Sequence, residues 1–136
     1  MNRRATILIV DDETVLRRNI VRVVERLLKK ESCDDKIEVV EAESGEHALV
    51  NVGRIDEDQK YCLVSDIEMP GMSGFELVES LRDRFNGRLL VKMLQSGHHF
   101  FREEAEELGC IFAPKGLPAH RTQLEAAVRR FIDLVE

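Results

Sequence analysis

The sequence has no tryptophan, one tyrosine, three prolines and three cysteines, and each scarcity removes a class of function. With so few large aromatic faces, platforms for stacking bases or sugars are scarce. Cys33, Cys62 and Cys110 are far apart and form no Cys-x-x-Cys pair. Neither a disulfide framework nor a zinc site is expected, and a reducing cytoplasm is the natural setting. Cys62 and Cys110 stand among apolar residues, as small buried hydrophobes do. Long apolar runs are missing too: stretches such as Ile7 to Val10 fall far short of the roughly 20 residues a membrane-spanning helix needs. The opening Met1-Asn2-Arg3-Arg4-Ala5 has neither the apolar stretch nor the small-residue cleavage site of a signal peptide. Positive charge is in deficit, Lys+Arg 20 against Asp+Glu 26 for a net charge of −6. A nucleic-acid partner would call for clustered Lys and Arg to neutralise phosphates, so neither nucleic acid nor membrane is an expected partner. What is present is 136 residues, 43% hydrophobic and 34% charged. That is enough for one domain over 1–136, burying roughly two-thirds of the surface its unfolded chain exposes.

Apolar runs and helical periods alternate along the chain. Ile7-Leu8-Ile9-Val10 reads as a strand buried on both faces, and it stops at Asp11-Asp12-Glu13. Leu16, Ile20, Val23, Val24, Leu27 and Leu28 recur at three- and four-residue steps, as in an amphipathic helix. The polar stretch 29–36 reads as a connection and 37–40 as a second strand. Ser44-Gly45 is helix-start chemistry, with Ala48, Leu49 and Val52 as the apolar face. After a charged loop over 54–60, Tyr61 to Val64 is a third strand that runs into the acid Asp66. Met69-Pro70-Gly71-Met72 is a turn-rich loop, and Ser73 with Glu76 forms a capping box ahead of Phe75, Val78 and Leu81. Leu89 to Leu94 is a fourth strand closing at Gln95-Ser96-Gly97, and 103–108 is a short acidic helix ended by Gly109. Ile111 to Ala113 is a fifth strand before Pro114-Lys115-Gly116. Pro118 opens a final helix that turns Leu124, Ala127, Val128, Phe131 and Val135 inward. Strands and helices joined by short crossovers predict a doubly wound α/β domain, a five-stranded parallel sheet with five helices on both faces. Lys92 is unusual in the middle of a strand; a buried stem with its ammonium at an edge accommodates it.

The unusual polar residues all fall at the carboxyl ends of strands: Asp11 and Asp12 after the first, Asp66 after the third, Ser96 after the fourth and Lys115 after the fifth. In open α/β sheets ligands bind along that edge, where the strand order reverses. Three gathered carboxylates raise one another's proton affinity unless a cation neutralises them. All-oxygen ligands of high charge suit Mg2+ rather than zinc. One carboxylate is then available to attack phosphorus and become an aspartyl phosphate. Lys115 and the cation would offset charge on the phosphoryl oxygens, and Ser96 would donate a hydrogen bond to the phosphoryl group once formed.

Asp11-Asp12, the run Asp66-Ile67-Glu68-Met69-Pro70-Gly71-Met72-Ser73-Gly74, Ser96-Gly97 and Lys115 together resemble the receiver domain of bacterial two-component response regulators, most nearly the stand-alone chemotaxis type. The resemblance covers the chain from about Thr6 to the last helix. It implies a flavodoxin-like sheet of order 2-1-3-4-5 and a phosphoryl group taken by Asp66 from a histidine kinase or phosphotransfer protein. It further implies Asp12 as the main metal carboxylate, Asp11 acting partly through water, and the Glu68 backbone carbonyl as another ligand of Mg2+. Ser96 would be the switch hydroxyl, Lys115 the phosphate-contacting cation and Phe112 the aromatic that changes rotamer with the switch. Output would pass through contacts with a downstream protein, with a phosphorylation-dependent homodimer as one form. Two departures from the family pattern stand out. Pro114 precedes the lysine and Gly116 follows it, whereas the family usually has proline after; and the segment from Ser96 to Lys115 is a few residues short, which predicts a short or displaced fourth helix.

Several residues have plainer readings. His98-His99 lacks a third ligand at metal spacing and reads as loop at the site mouth, where His98 would influence access of water. Phe100-Phe101 reads as one ring buried and one exposed, the latter part of a partner surface. Glu103, Glu104, Glu106 and Glu107 read as a solvated helix face. Two other functions fit less of the pattern. A receiver-like binding module indifferent to phosphate is compatible with the altered Pro114-Lys115-Gly116 order. A Mg2+-dependent phosphatase with an aspartate nucleophile would use Glu68 as its second acid, but commonly carries a capping insertion for which 136 residues leave little room.

Overall fold

The protein is described here by a computed structural model covering residues 4–55, 58–116 and 118–136. Five parallel strands, β1 (Ala5–Val10), β2 (Ile37–Ala42), β3 (Lys60–Asp66), β4 (Leu89–Ser96) and β5 (Ile111–Pro114), form one sheet in the order β2-β1-β3-β4-β5. The helices between and after them are α1 (Thr14–Lys30), α2 (Gly45–Val52), α3 (Gly74–Phe85), α4 (Arg102–Glu107) and α5 (Pro118–Val135), with a 3-10 turn over His99–Phe101 leading into α4. The fold is the expected doubly wound, flavodoxin-like one. Each strand is one to three residues longer than the apolar segment that marks it in the sequence, β1 by Ala5 and Thr6 at its start and β4 by Gln95 and Ser96 at its end.

Alternation along each strand divides the interior in two. Ile7 and Ile9 of β1, Cys62 and Val64 of β3 and Val91 and Met93 of β4 pack against Ile20, Val24 and Leu28 of α1 and Leu124, Val128 and Phe131 of α5. Leu8, Val10, Leu63, Leu94 and Phe112 face the other way, against Leu77, Val78 and Leu81 of α3 and Ala105 of α4. Each such large side chain contributes roughly 1.5–3 kcal/mol by leaving water. The edge strand β2 is only half-buried along its middle, and it carries Glu38 and Glu41 there, charges that discourage pairing with another chain.

Local chemistry sets the boundaries. Ser44 caps α2 by accepting from the His47 backbone N–H, and Ser73 and Glu76 form the capping box of α3. Gly109 takes φ +76 after α4, a left-handed conformation glycine adopts without steric cost. Two features depart from the sequence reading or sharpen it. Cys33, in the polar stretch after α1, is fully buried in the α1/α5 core, its backbone N–H bonded to the Leu28 carbonyl. The fourth helix spans only six residues, Arg102–Glu107, as its shortened segment predicts. Lys92 behaves as expected for a long amphipathic chain: its strand position is half-buried and its ammonium emerges beside Gly109. The stretch expected as a loop over 54–60 contains residues 56 and 57, which lie outside the described residues.

Candidate functional site

The carboxyl ends of β1, β3 and β5 bring their polar residues together. Asp11, Asp12 and Asp66 each offer a carboxylate oxygen, and the three oxygens lie within 4.8 Å of one another. Asp11 and Asp66 are buried while Asp12 is exposed. Lys115 reaches in from the far side of β4: its Nζ lies 2.9 Å from Asp66 Oδ2, 3.2 Å from Glu13 Oε1 and 3.6 Å from Asp11 Oδ2. One ammonium thus faces several carboxylates, and the local balance is negative.

That imbalance shows in the acid–base properties. Burial lifts the Asp66 carboxyl to about 6, against the downward pull of the Lys115 hydrogen bond, with Asp11 and Asp12 adding to the rise. Asp11 is raised as well, chiefly by burial, while the Glu13 backbone N–H bond and Lys115 act in the opposite sense. Burial alone would lower the Lys115 ammonium, but Asp66, Asp11 and Glu13 together raise it above its ordinary value. Carboxylates that resist ionisation side by side, all offering oxygen, are the donor set for a hard divalent cation. The residues therefore fit Mg2+.

The loop after β3 is built to approach this cluster closely. A Cβ at Gly74 would sit 2.4 Å from the Asp66 carbonyl oxygen, so only glycine lets α3 start against the end of β3. Its N–H donates to the Ile67 carbonyl at 2.9 Å. From α2, the Glu46 carboxylate accepts the Met72 backbone N–H at 3.1 Å and pins the outer part of that loop. Glu68, within the same loop, is exposed.

Ser96 ends β4 next to Gln95, which pairs with Asp66. Its hydroxyl donates to Glu68 Oε1 at 3.1 Å and accepts the His98 backbone N–H at 3.0 Å, and its carbonyl accepts the Lys115 N–H at 2.9 Å. The His98 ring also approaches Glu68 Oε1, at 3.5 Å. Phe112 is buried on the α3/α4 face with the Arg102 guanidinium 4.9 Å above its ring. Phe100 is 74% exposed, and Phe101 is half-buried against Phe75, the division expected for that pair.

Four further residues shape the cluster without being anticipated. Glu13 shares Lys115. Arg17 is buried on α1, donating to the Asp11 carbonyl at 2.8 Å and to Glu41 at 3.0 Å. Gln95 is fully buried and donates its amide to Asp11 Oδ2 at 3.1 Å, while its oxygen lies 2.6 Å from His120 Nε2 on α5. Gln95 and Arg17 carried a usable signal, each a polar residue on an otherwise apolar face. His120 carried none, because a histidine in the first turn of a helix is ordinary.

Comparison with known proteins bears on the same region. Residues 7–111 match the family model described as the response regulator receiver domain. Among curated proteins, the nitrate/nitrite response regulator protein NarL of Escherichia coli strain K12 is 32% identical over 88 residues, 64% of this chain and 37% of NarL. The two-component response regulator ARR17 of Arabidopsis thaliana is 35% identical over 95 residues, 63% of this chain and 57% of ARR17. The chain thus spans about a third to about half of the curated relatives it matches. Among solved structures, the chemotaxis response regulator CheY4 of Vibrio cholerae superposes with a TM-score of 0.65 at 23% identity, covering 93% of this chain and 97% of that one. Among the described residues no helix is long and apolar enough to cross a membrane.

Proposed function

The chain belongs to the response regulator receiver domain family, and from that premise we propose that it is a phospho-accepting signalling switch whose acceptor is Asp66. The observation that carries the reading is a buried aspartate held 2.9 Å from a lysine inside a carboxylate trio at the strand ends. An Asp66 oxygen attacks the phosphorus of a phosphohistidine on a histidine kinase or phosphotransfer protein. The new O–P bond forms as the P–N bond breaks, and its electron pair leaves with the imidazole. Lys115 meets the negative oxygens of the phosphoryl group and exchanges its contact with the Asp66 carboxylate for one with them. Asp11, Asp12, Asp66 and the Glu68 backbone carbonyl would hold Mg2+, which supplies positive charge toward those oxygens and keeps the carboxylates ionised. Hydrolysis reverses the state: water attacks the phosphorus, releasing inorganic phosphate and restoring the Asp66 carboxylate.

Signalling follows from what the new group displaces. A phosphoryl group brings about −1.5 to −2 charge at pH 7 and several acceptor oxygens. Ser96 gives up Glu68 to donate to it, and the segment leading into α4 and Phe112 responds. The output is read by a downstream protein, and the domain extends over the whole of 1–136. The test is incubation with acetyl phosphate and Mg2+, followed by intact mass. The parent should gain one phosphoryl group, and Asp66→Asn or removal of Mg2+ by chelation should abolish the gain. No gain in the parent, or an undiminished gain in Asp66→Asn, would overturn the reading. The six-residue α4 favours a second reading, a binding module indifferent to phosphate, which predicts partner capture unchanged by Asp66→Asn.

A further inference from the structure

The α1/α5 face of β4 is apolar at Val91 and Met93, and the next residue in that period, Gln95, is a fully buried amide. An aliphatic side chain there would continue the core, and an amide is tolerated only if both of its ends are satisfied. Both are. An ionised carboxylate only accepts, so the Gln95 NH2 faces Asp11 Oδ2 at 3.1 Å. The amide oxygen is left for His120, so the proton of the neutral ring sits on Nε2, 2.6 Å away. Burial first and Lys115 second lower the His120 pKa and so disfavour the charged ring. The other Asp11 oxygen accepts the Glu13 backbone N–H at 2.9 Å.

We propose that Gln95 is a positioning residue for Asp11, oriented in turn by His120, so that the first turn of α5 helps set the cation affinity of the carboxylate cluster. The inference rests on the reading of Asp11 as a metal carboxylate. Among the described residues, Asp11 Oδ2 would otherwise be aimed by Lys115 alone, at 3.6 Å, and that ammonium moves when a phosphoryl group arrives. The amide holds Asp11 through that change. Coupling of this kind is reciprocal: if α5 steadies Asp11, then cation binding at Asp11 is felt at the His120 ring.

Calorimetry and NMR on the full chain test this. Calorimetric titration with Mg2+ should show about tenfold weaker binding in Gln95→Leu, the low end for outer-shell partners of a metal ligand. His120→Leu should weaken binding by a smaller factor, and His120→Gln, which keeps a donor for the amide oxygen, should restore most of it. The double variant Gln95→Leu/His120→Leu should bind no more weakly than Gln95→Leu. In the parent, the His120 ring proton resonances should shift on adding Mg2+, and in Gln95→Leu they should not. Parent-like Mg2+ affinity in a folded Gln95→Leu, or in His120→Leu where Gln95→Leu fails to fold, overturns the inference while leaving the phosphorylation reading intact. A parent that binds no Mg2+ overturns both.

Discussion

The middle of the sheet and its carboxyl edge are built from the same strands, one or two residues apart, and they follow opposite physical rules. Val10 is followed by Asp11 and Leu94 by Gln95, and Val64 stands two residues before Asp66, all of them buried. In the middle, burial stabilises because the side chains prefer to leave water. At the edge, burial costs stability because carboxylates lose hydration that one shared ammonium does not replace. A binding site of this type is therefore a region where the fold tolerates an unfavourable arrangement, supported by the favourable one beneath it.

Substitutions at the two regions should move stability in opposite directions. The largest effect belongs to the middle. Leu63 is fully buried, and Leu63→Ala should destabilise by about 2–5 kcal/mol in chemical denaturation, through lost burial and a residual cavity. At the edge the sign reverses. Asp66→Asn should stabilise the protein by about 3 kcal/mol at neutral pH without divalent cations, since a tenfold change in proton affinity is worth about 1.4 kcal/mol and burial lifts this carboxyl from 3.8 to about 6. The linkage runs in a defined sense. A carboxyl raised in the folded state favours folding when protonated, so its contribution is fully present below pH 3.8 and is lost as pH rises through about 6. The stability gap between Asp66→Asn and parent should therefore widen over that interval and flatten above it, and a gap that narrowed would contradict burial as the cause. The smallest effect sharpens the boundary between the regions. Ser73 caps α3 just behind the cluster, and Ser73→Ala should cost about 1 kcal/mol while leaving Mg2+ affinity close to parental.

Much of this is legible in the chain alone. The continuous apolar runs, the capping box at Ser73 and Glu76, Pro118 at a helix start and Gly109 at a helix end are local signals, read from a few adjacent residues. The acids and the lysine are legible for a related reason: a charged residue directly after a buried strand is conspicuous. Cys33 is not, because a thiol among charges gives no sign of turning inward until α1 and α5 close over it. Arg17 is a middle case: its place on the apolar face of α1 is visible, but the partners that satisfy it there, the Asp11 carbonyl and Glu41, come from two other parts of the chain.

By itself the sequence determined the order of elements, the doubly wound architecture and the residues that stand at the strand ends, because those follow from hydrophobic period and turn chemistry over short spans. Only the tertiary structure decided that Gln95 joins Asp11 to His120, that Glu13 shares Lys115 with Asp66, and that Glu68 takes the Ser96 hydroxyl. Those pairings span from 25 to 102 residues of chain. They depend on which side of a strand faces which helix and how far a side chain reaches, which no local pattern encodes.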